Sequence, residues 1–152
     1  MNTHSAHHSH HEKESYVQLA LSTTLHCLLG CGLGEVVGMV IATALGLGNV
    51  SSIALAVTLG FVFGFVLGMR PLLKARFSFA RAFKTVLIAE GLSIAVMETA
   101  EVLVEVYTPG VMSAGLTDSV FWWGMLFALV AGFVAAFPVN FILVRRGIRH
   151  QH

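Results

Sequence analysis

Residues 50–69 are twenty consecutive positions without one charged side chain, closed by Arg70 and Pro71. Twenty apolar residues in a helix rise about 30 Å, the thickness of a bilayer's hydrocarbon core. A helix also satisfies its own backbone N–H and C=O groups, which that solvent demands. The rest of the 152-residue chain agrees, with 56% hydrophobic and 11% charged residues, where a soluble domain carries roughly 25% charged residues. In water such a chain would expose apolar surface that nothing covers.

Three further segments follow from the same pattern. The first runs over about 17–47, longer than a bilayer needs, and ends at Gly46, Gly48 and Asn49. It is expected to tilt or to begin as a surface helix. A third covers about 85–107 and stops at Thr108, Pro109 and Gly110, and a fourth covers about 119–144. The expected fold is an all-α bundle of four transmembrane helices over residues 16–149. Ahead of it, residues 1–15 hold His4, His7, His8, His10 and His11 among polar residues, and this segment is expected to be disordered without a ligand. The start lacks the layout of a cleaved secretory signal, so the first apolar segment is expected to persist as a span.

Charge gives the orientation. The loop over 70–84 carries Arg70, Lys74, Arg76, Arg81 and Lys84 with no acid, and Arg145, Arg146 and Arg149 follow the last span. The other two loops have no Lys or Arg, so both termini are expected in the cytoplasm. Phe77, Phe79 and Phe83 interleave the basic loop and suit a segment lying among headgroups. Trp122 and Trp123 open the last span, where indoles favour the interface. A net charge of +1 confined to such flanks excludes a nucleic-acid partner.

Two groups of residues carry chemistry. In the first span Cys27, Cys31, Glu35 and Met39 recur at four-residue steps, which places two thiols, a carboxylate and a thioether on one helix face. Soft sulfur suits Cu(I), and the neighbouring imidazole of His26 suits zinc as well. Buried cysteines are also ordinary packing residues, so the thiols are balanced between ligation and packing. In the third span Glu90, Glu98, Glu101 and Glu105 fall within an arc of about 80° on the helical wheel. An acid at mid-bilayer costs about 2.5–3.5 kcal/mol on insertion scales, so these groups cannot face lipid. They are expected to be protonated, to hold a cation or to line a polar cavity, with a buried network through Ser, Thr, Asn140 or His26 as the structural alternative. Glu35 and Glu98 are expected at matching depths near the midplane. The ladders Gly30, Gly34, Gly38 and Gly60, Gly64, Gly68 are read as packing devices that let helix backbones approach.

The stretches TLHCLLGCGLGEVVGMVIATALG, GMRPLL, SIAVME, PGVMSAGLTDSVFW and FPVNFILVRRGIRH resemble the DUF4396 family of bacterial membrane proteins. The resemblance implies a small multi-span protein of the bacterial cytoplasmic (inner) membrane, often with a His-rich start, and supplies no reaction. The expected function is membrane transport or handling of a cation, copper or zinc foremost. His26, Cys27, Cys31, Glu35 and Met39 are the expected metal ligands, and Glu90, Glu98, Glu101, Glu105 and Asn140 the expected pathway. The amino-terminal histidines serve as accessory ligands. No catalytic residue is expected, and a homo-oligomer is expected because four helices enclose little volume. The alternatives are a thiol redox protein using Cys27 and Cys31, and a scaffold without substrate.

Overall fold

The computed structural model describes the backbone of residues 4–146 and the side chains of residues 16–146. The accessory histidines His4 to His11 and the terminal Arg149 therefore have side chains outside the described residues. Four helices follow one another: α1 (His4–Ala44), α2 (Asn49–Lys74), α3 (Phe79–Tyr107) and α4 (Ser119–Arg145), with a short 3-10 turn at Val111–Ser113. Residues 4–15 of the stretch expected to be disordered are described as part of α1. That stretch lacks Gly and Pro, and extending a helix already nucleated by the apolar segment adds one hydrogen bond per residue fixed.

The ends are set by backbone chemistry. Gly46 takes a left-handed conformation (φ 64°), and Leu47 N donates to Ala42 O while Gly46 N donates to Thr43 O, the paired bonds that close a helix at a left-handed residue. The same pair closes α2, from Phe77 to Leu72 and from Arg76 to Leu73, with Arg76 in the left-handed position. Pro71 does not stop α2 where the sequence suggested. Its carbonyl still accepts from Ala75 N, so the helix runs on to Lys74.

Close contacts fix the order of the bundle. A Cβ on Gly30 would meet Gly64, on Gly34 the Leu59 carbonyl, and on Gly38 Ala56, so α1 and α2 run antiparallel with their backbones touching. Gly60 and Gly68 of α2 lie against Glu98 and Glu90 of α3. Gly132 of α4 lies against Glu101 of α3, and Gly32 of α1 against Leu129 of α4. The helices therefore form an up-down-up-down ring, with α1 and α3 parallel across it. Arg70, Lys74, Arg76, Arg81, Lys84, Arg145 and Arg146 gather at one end, called here the basic end, and loops 45–48 and 108–118 form the far end.

The helices α2 and α4, and the segment Tyr16–Ala44 of α1, are long and apolar enough to cross a membrane. This is an all-α membrane protein by that measure. Helix α3 is as long, with 29 residues, but interrupts its apolar sequence with four acids. Three buried apolar layers stack along the bundle: Met69, Leu72, Ala82 and Val86 near the basic end, Cys27, Cys31, Ile94, Met97 and Ala136 farther in, and Met39, Ala56, Phe121 and Met125 towards the far end.

Candidate cation site

Between the second and third apolar layers the bundle is polar. Glu35 of α1 and Glu98 and Glu101 of α3 each place a carboxylate oxygen within 4.8 Å of the other two. Glu35 and Glu101 are fully buried and Glu98 is 3% exposed. Glu105, one turn farther along α3, is also fully buried. The reason is visible in α3 itself, whose acids share one face while Leu87, Ile88, Leu92, Leu103 and Val106 are exposed on the others. Period 3.6 does the sorting.

Glycines make the room. A side chain on Gly60 would collide with the Glu98 carboxylate, and one on Gly132 would sit 2.7 Å from Glu101 Cδ. The α2 ladder thus serves two partners: Gly64 backs onto α1, while Gly60 and Gly68 seat acids of α3. A glycine gives a carboxylate space but no side-chain donor. Among the described residues, no N–H or hydroxyl donates to any oxygen of Glu35, Glu98, Glu101 or Glu105. Glu35 and Glu101 stand close enough to share a proton between their carboxyl groups. Three carboxylates at this spacing cannot all be charged without a compensating cation, because their repulsion is undamped in a low-dielectric interior. The group can therefore hold protons, a cation, or one in exchange for the other.

The remaining expected residues separate from this centre. Cys27 and Cys31 lie one layer nearer the basic end, with Sγ atoms 3.9 Å apart, packed against Ile94 and Met97. A disulfide needs about 2.05 Å, so closing one would distort α1. Met39 sits in the far-end layer with Phe121 and Met125. His26 is exposed and shares a cleft of about 280 Å³ with Glu90, Ser22, Thr23 and Thr85, on the basic side of the thiol layer. Asn140 is tied to α1: its Nδ2 donates to Thr24 Oγ1 at 2.8 Å, and Thr24 in turn donates to Ala20 O. A buried polar contact of the kind expected as the structural alternative exists, and it joins α4 to α1.

Sequence reasoning missed Thr24 and Gly132. No local signal marks Thr24, whose partner is 116 residues away. Gly132 belongs to a small-residue series at four-residue steps in α4, Gly124, Ala128, Gly132 and Ala136, a signal that could have marked it; its placement opposite an acid gives it meaning. The buried hydroxyl of Ser93 was also unremarked and has no partner among the described residues.

Comparison with curated proteins and with solved structures finds no match. The sequence does match the family described as a domain of unknown function, DUF4396, over residues 17–149. That match takes in all four helices except the first turns of α1, together with every residue of the carboxylate centre, and the chain belongs to the DUF4396 family.

Proposed function

We propose that this chain crosses the membrane four times, with both termini cytoplasmic, and that Glu35, Glu98 and Glu101 bind a cation in transit through the bundle. The observation that carries this reading is the convergence of three buried carboxyl groups to which no N–H or hydroxyl among the described residues donates. Leaving such groups unmatched in lipid is costly, and structural economy would replace them with apolar residues. Support for a fourth span comes from α3, which is roughly 43 Å long at 1.5 Å per residue and turns its apolar faces outward and its acids inward. All described Lys and Arg residues lie at the basic end, which the positive-inside rule assigns to the cytoplasm. We take the membrane to be the bacterial inner membrane, a reading supported by the resemblance of the sequence to bacterial proteins.

The donor set narrows the cation. Three oxygens favour a hard or borderline divalent ion, with zinc as the transition metal that accepts carboxylates. Cu(I) would need Cys27 and Cys31 instead. Three carboxylates with one divalent ion leave one negative charge, which a single proton cancels. A divalent ion entering a fully protonated centre therefore releases two protons, and this exchange supplies a coupling between ion and proton movement. The apolar layers on either side, one holding the thiols and the other Met39, Phe121 and Met125, keep the centre closed to both ends.

The test is zinc uptake by vesicles containing the purified protein. Glu98→Gln should leave the protein inserted, since the change removes a charge, and should lower uptake on the order of 100-fold, the upper range for disturbing a metal site. Uptake unchanged in Glu98→Gln would overturn the pathway.

A further inference from the structure

The packing of α1 on α2 keeps one register. Gly30 faces Gly64, Gly34 faces Leu59 and Gly60, and Gly38 faces Ala56, so each step of four residues back along α1 is matched by four forward along α2. The next rung towards the basic end pairs His26 with Gly68. An imidazole stands there in place of another glycine of the α1 ladder. Gly68 has a second neighbour, since a Cβ built on it would lie 2.8 Å from Glu90 Oε2. Gly60 seats Glu98 in the same way two turns farther in. One bare position on α2 thus stands between an imidazole of α1 and a carboxylate of α3.

The space left at this rung is the cleft of about 280 Å³ that Ser22, Thr23 and Thr85 also line. It extends to Pro71, three residues from the Lys74 end of α2. His26 and Ser22 are exposed, while Glu90, Thr23 and Thr85 are half-buried, so the cleft is entered from the basic end. Its polar atoms point to one kind of ligand. Thr23 Oγ1 gives its hydrogen to Leu19 O at 2.6 Å and Thr85 Oγ1 to Arg81 O at 2.9 Å, which leaves both hydroxyls as acceptors. Glu90 brings a carboxylate and His26 a ring nitrogen, and no Lys or Arg lines the cleft. An anion would meet a negative charge and no basic side chain. A hard ion such as magnesium takes oxygen ligands and keeps its waters, whereas an imidazole beside a carboxylate is a donor pair for zinc.

We propose that His26 and Glu90 hold a second divalent metal ion, zinc by this donor set, in the cleft where α1, α2 and α3 meet, with water in the remaining positions of its shell. The ligand set joins His26 to a carboxylate across the bundle, not to Cys27 and Cys31 of its own helix. Binding at this site stands on the cleft alone. Its part in transit rests on the carboxylate-centre reading: Glu90 is eight residues from Glu98, roughly 12 Å along α3, and lies on the cytoplasmic side of the thiol layer. An ion docks there before it enters that layer or after it leaves.

The experiment is carbethoxylation of His26 by diethyl pyrocarbonate, in the full chain in lipid nanodiscs, with and without zinc. Mass spectrometry of the peptide that holds residue 26 reads this one side chain and is blind to the histidines near the amino terminus. Zinc is expected to protect His26 and magnesium to leave it reactive. Glu90→Gln keeps the shape of the side chain and should raise the zinc concentration for half-protection on the order of 100-fold. Gly68→Ala presses on Glu90 Oε2 and should raise it about tenfold. A wild-type rate of modification without zinc shows that each variant is folded. Glu35→Gln should weaken the carboxylate centre and leave protection of His26 unchanged, so a failure of either site is seen without the other. His26 modified equally with and without zinc, equal protection by magnesium, protection that persists unchanged in both Glu90→Gln and Gly68→Ala, or protection lost in Glu35→Gln overturns the proposal.

Discussion

Two polar layers are buried in this bundle, and they are built on opposite terms. Nearer the basic end, Asn140 donates to Thr24 and Thr24 donates to the Ala20 carbonyl, so side chains from α4 and α1 are joined through a chain of directed bonds. Farther in, Glu35, Glu98 and Glu101 crowd together with no N–H or hydroxyl donor among the described residues. The first layer is complete without a ligand. The second lacks something positive. Buried polar groups that satisfy one another hold helices in register, whereas a cluster that cannot satisfy itself is stable only when protons or a cation complete it. Under the proposed cation reading, the difference separates a structural polar layer from a ligand-binding one within a single bundle.

The sharpest way to break the comparison is to exchange their consequences. Glu101→Gln should weaken zinc binding on the order of 100-fold with little loss of thermal stability, because it removes a ligand and a repulsion together. Asn140→Leu should do the reverse, leaving zinc affinity intact and lowering stability by about 0.6 kcal/mol, the average for a hydrogen bond between membrane helices. Titration and thermal unfolding of the two variants in detergent read both quantities. If Asn140→Leu lost zinc as Glu101→Gln does, the layers would be one network and the distinction would fall.

A gentler change tests whether the carboxylate spacing matters. Gly132→Ala adds a methyl group against Glu101, 2.7 Å from its Cδ, and should weaken zinc about tenfold by moving one ligand, the lower range for disturbing a metal site. Gly124→Ala is the control, since its methyl would meet Val111 Cγ2 at 2.5 Å, two turns of α4 (roughly 12 Å) from Gly132. It should cost about 1–3 kcal/mol of stability through overpacking and leave affinity unchanged. Equal affinities for the two variants would mean that the centre tolerates displacement and holds no ion tightly.

Much of this was legible in the sequence, and the reasons it stopped are physical. The charge-free run in α2 and the one-sided acids of α3 are properties of single helices, which period and hydropathy report directly. Which acids meet Glu35 depends on how far α3 slides along α1, and that shift is set by contacts through α2 and α4, at Gly60 and Gly132. No single helix carries that information. The stripe Cys27, Cys31, Glu35 and Met39 shows the limit plainly. Its members share a face, but twelve residues of rise separate Cys27 from Met39 by roughly 18 Å, so the structure distributes them over three layers and only Glu35 enters the carboxylate centre.

The smallest expected effect concerns the thiols, and it decides what the layer between the two polar regions is for. Cys27 and Cys31 pack with Ile94, Met97 and Ala136, one turn and more from Glu35 on the basic side. If this layer only seals the centre, replacing both cysteines with Ser should change zinc affinity less than about threefold, well under 1.4 kcal/mol. Stability should also hold, because a buried serine in a helix can donate to the carbonyl four residues earlier, as Thr24 already does to Ala20 at 2.7 Å. Copper separates the roles further. Thiolates suit Cu(I) and serine hydroxyls do not, so a Cu(I) site built on the pair would disappear in the double variant while zinc stayed bound. Metal analysis of the two proteins after equal loading reads both ions at once. A zinc loss matching that of Glu101→Gln would merge the thiol layer into the cation centre, and the route would then run through sulfur before it reached oxygen.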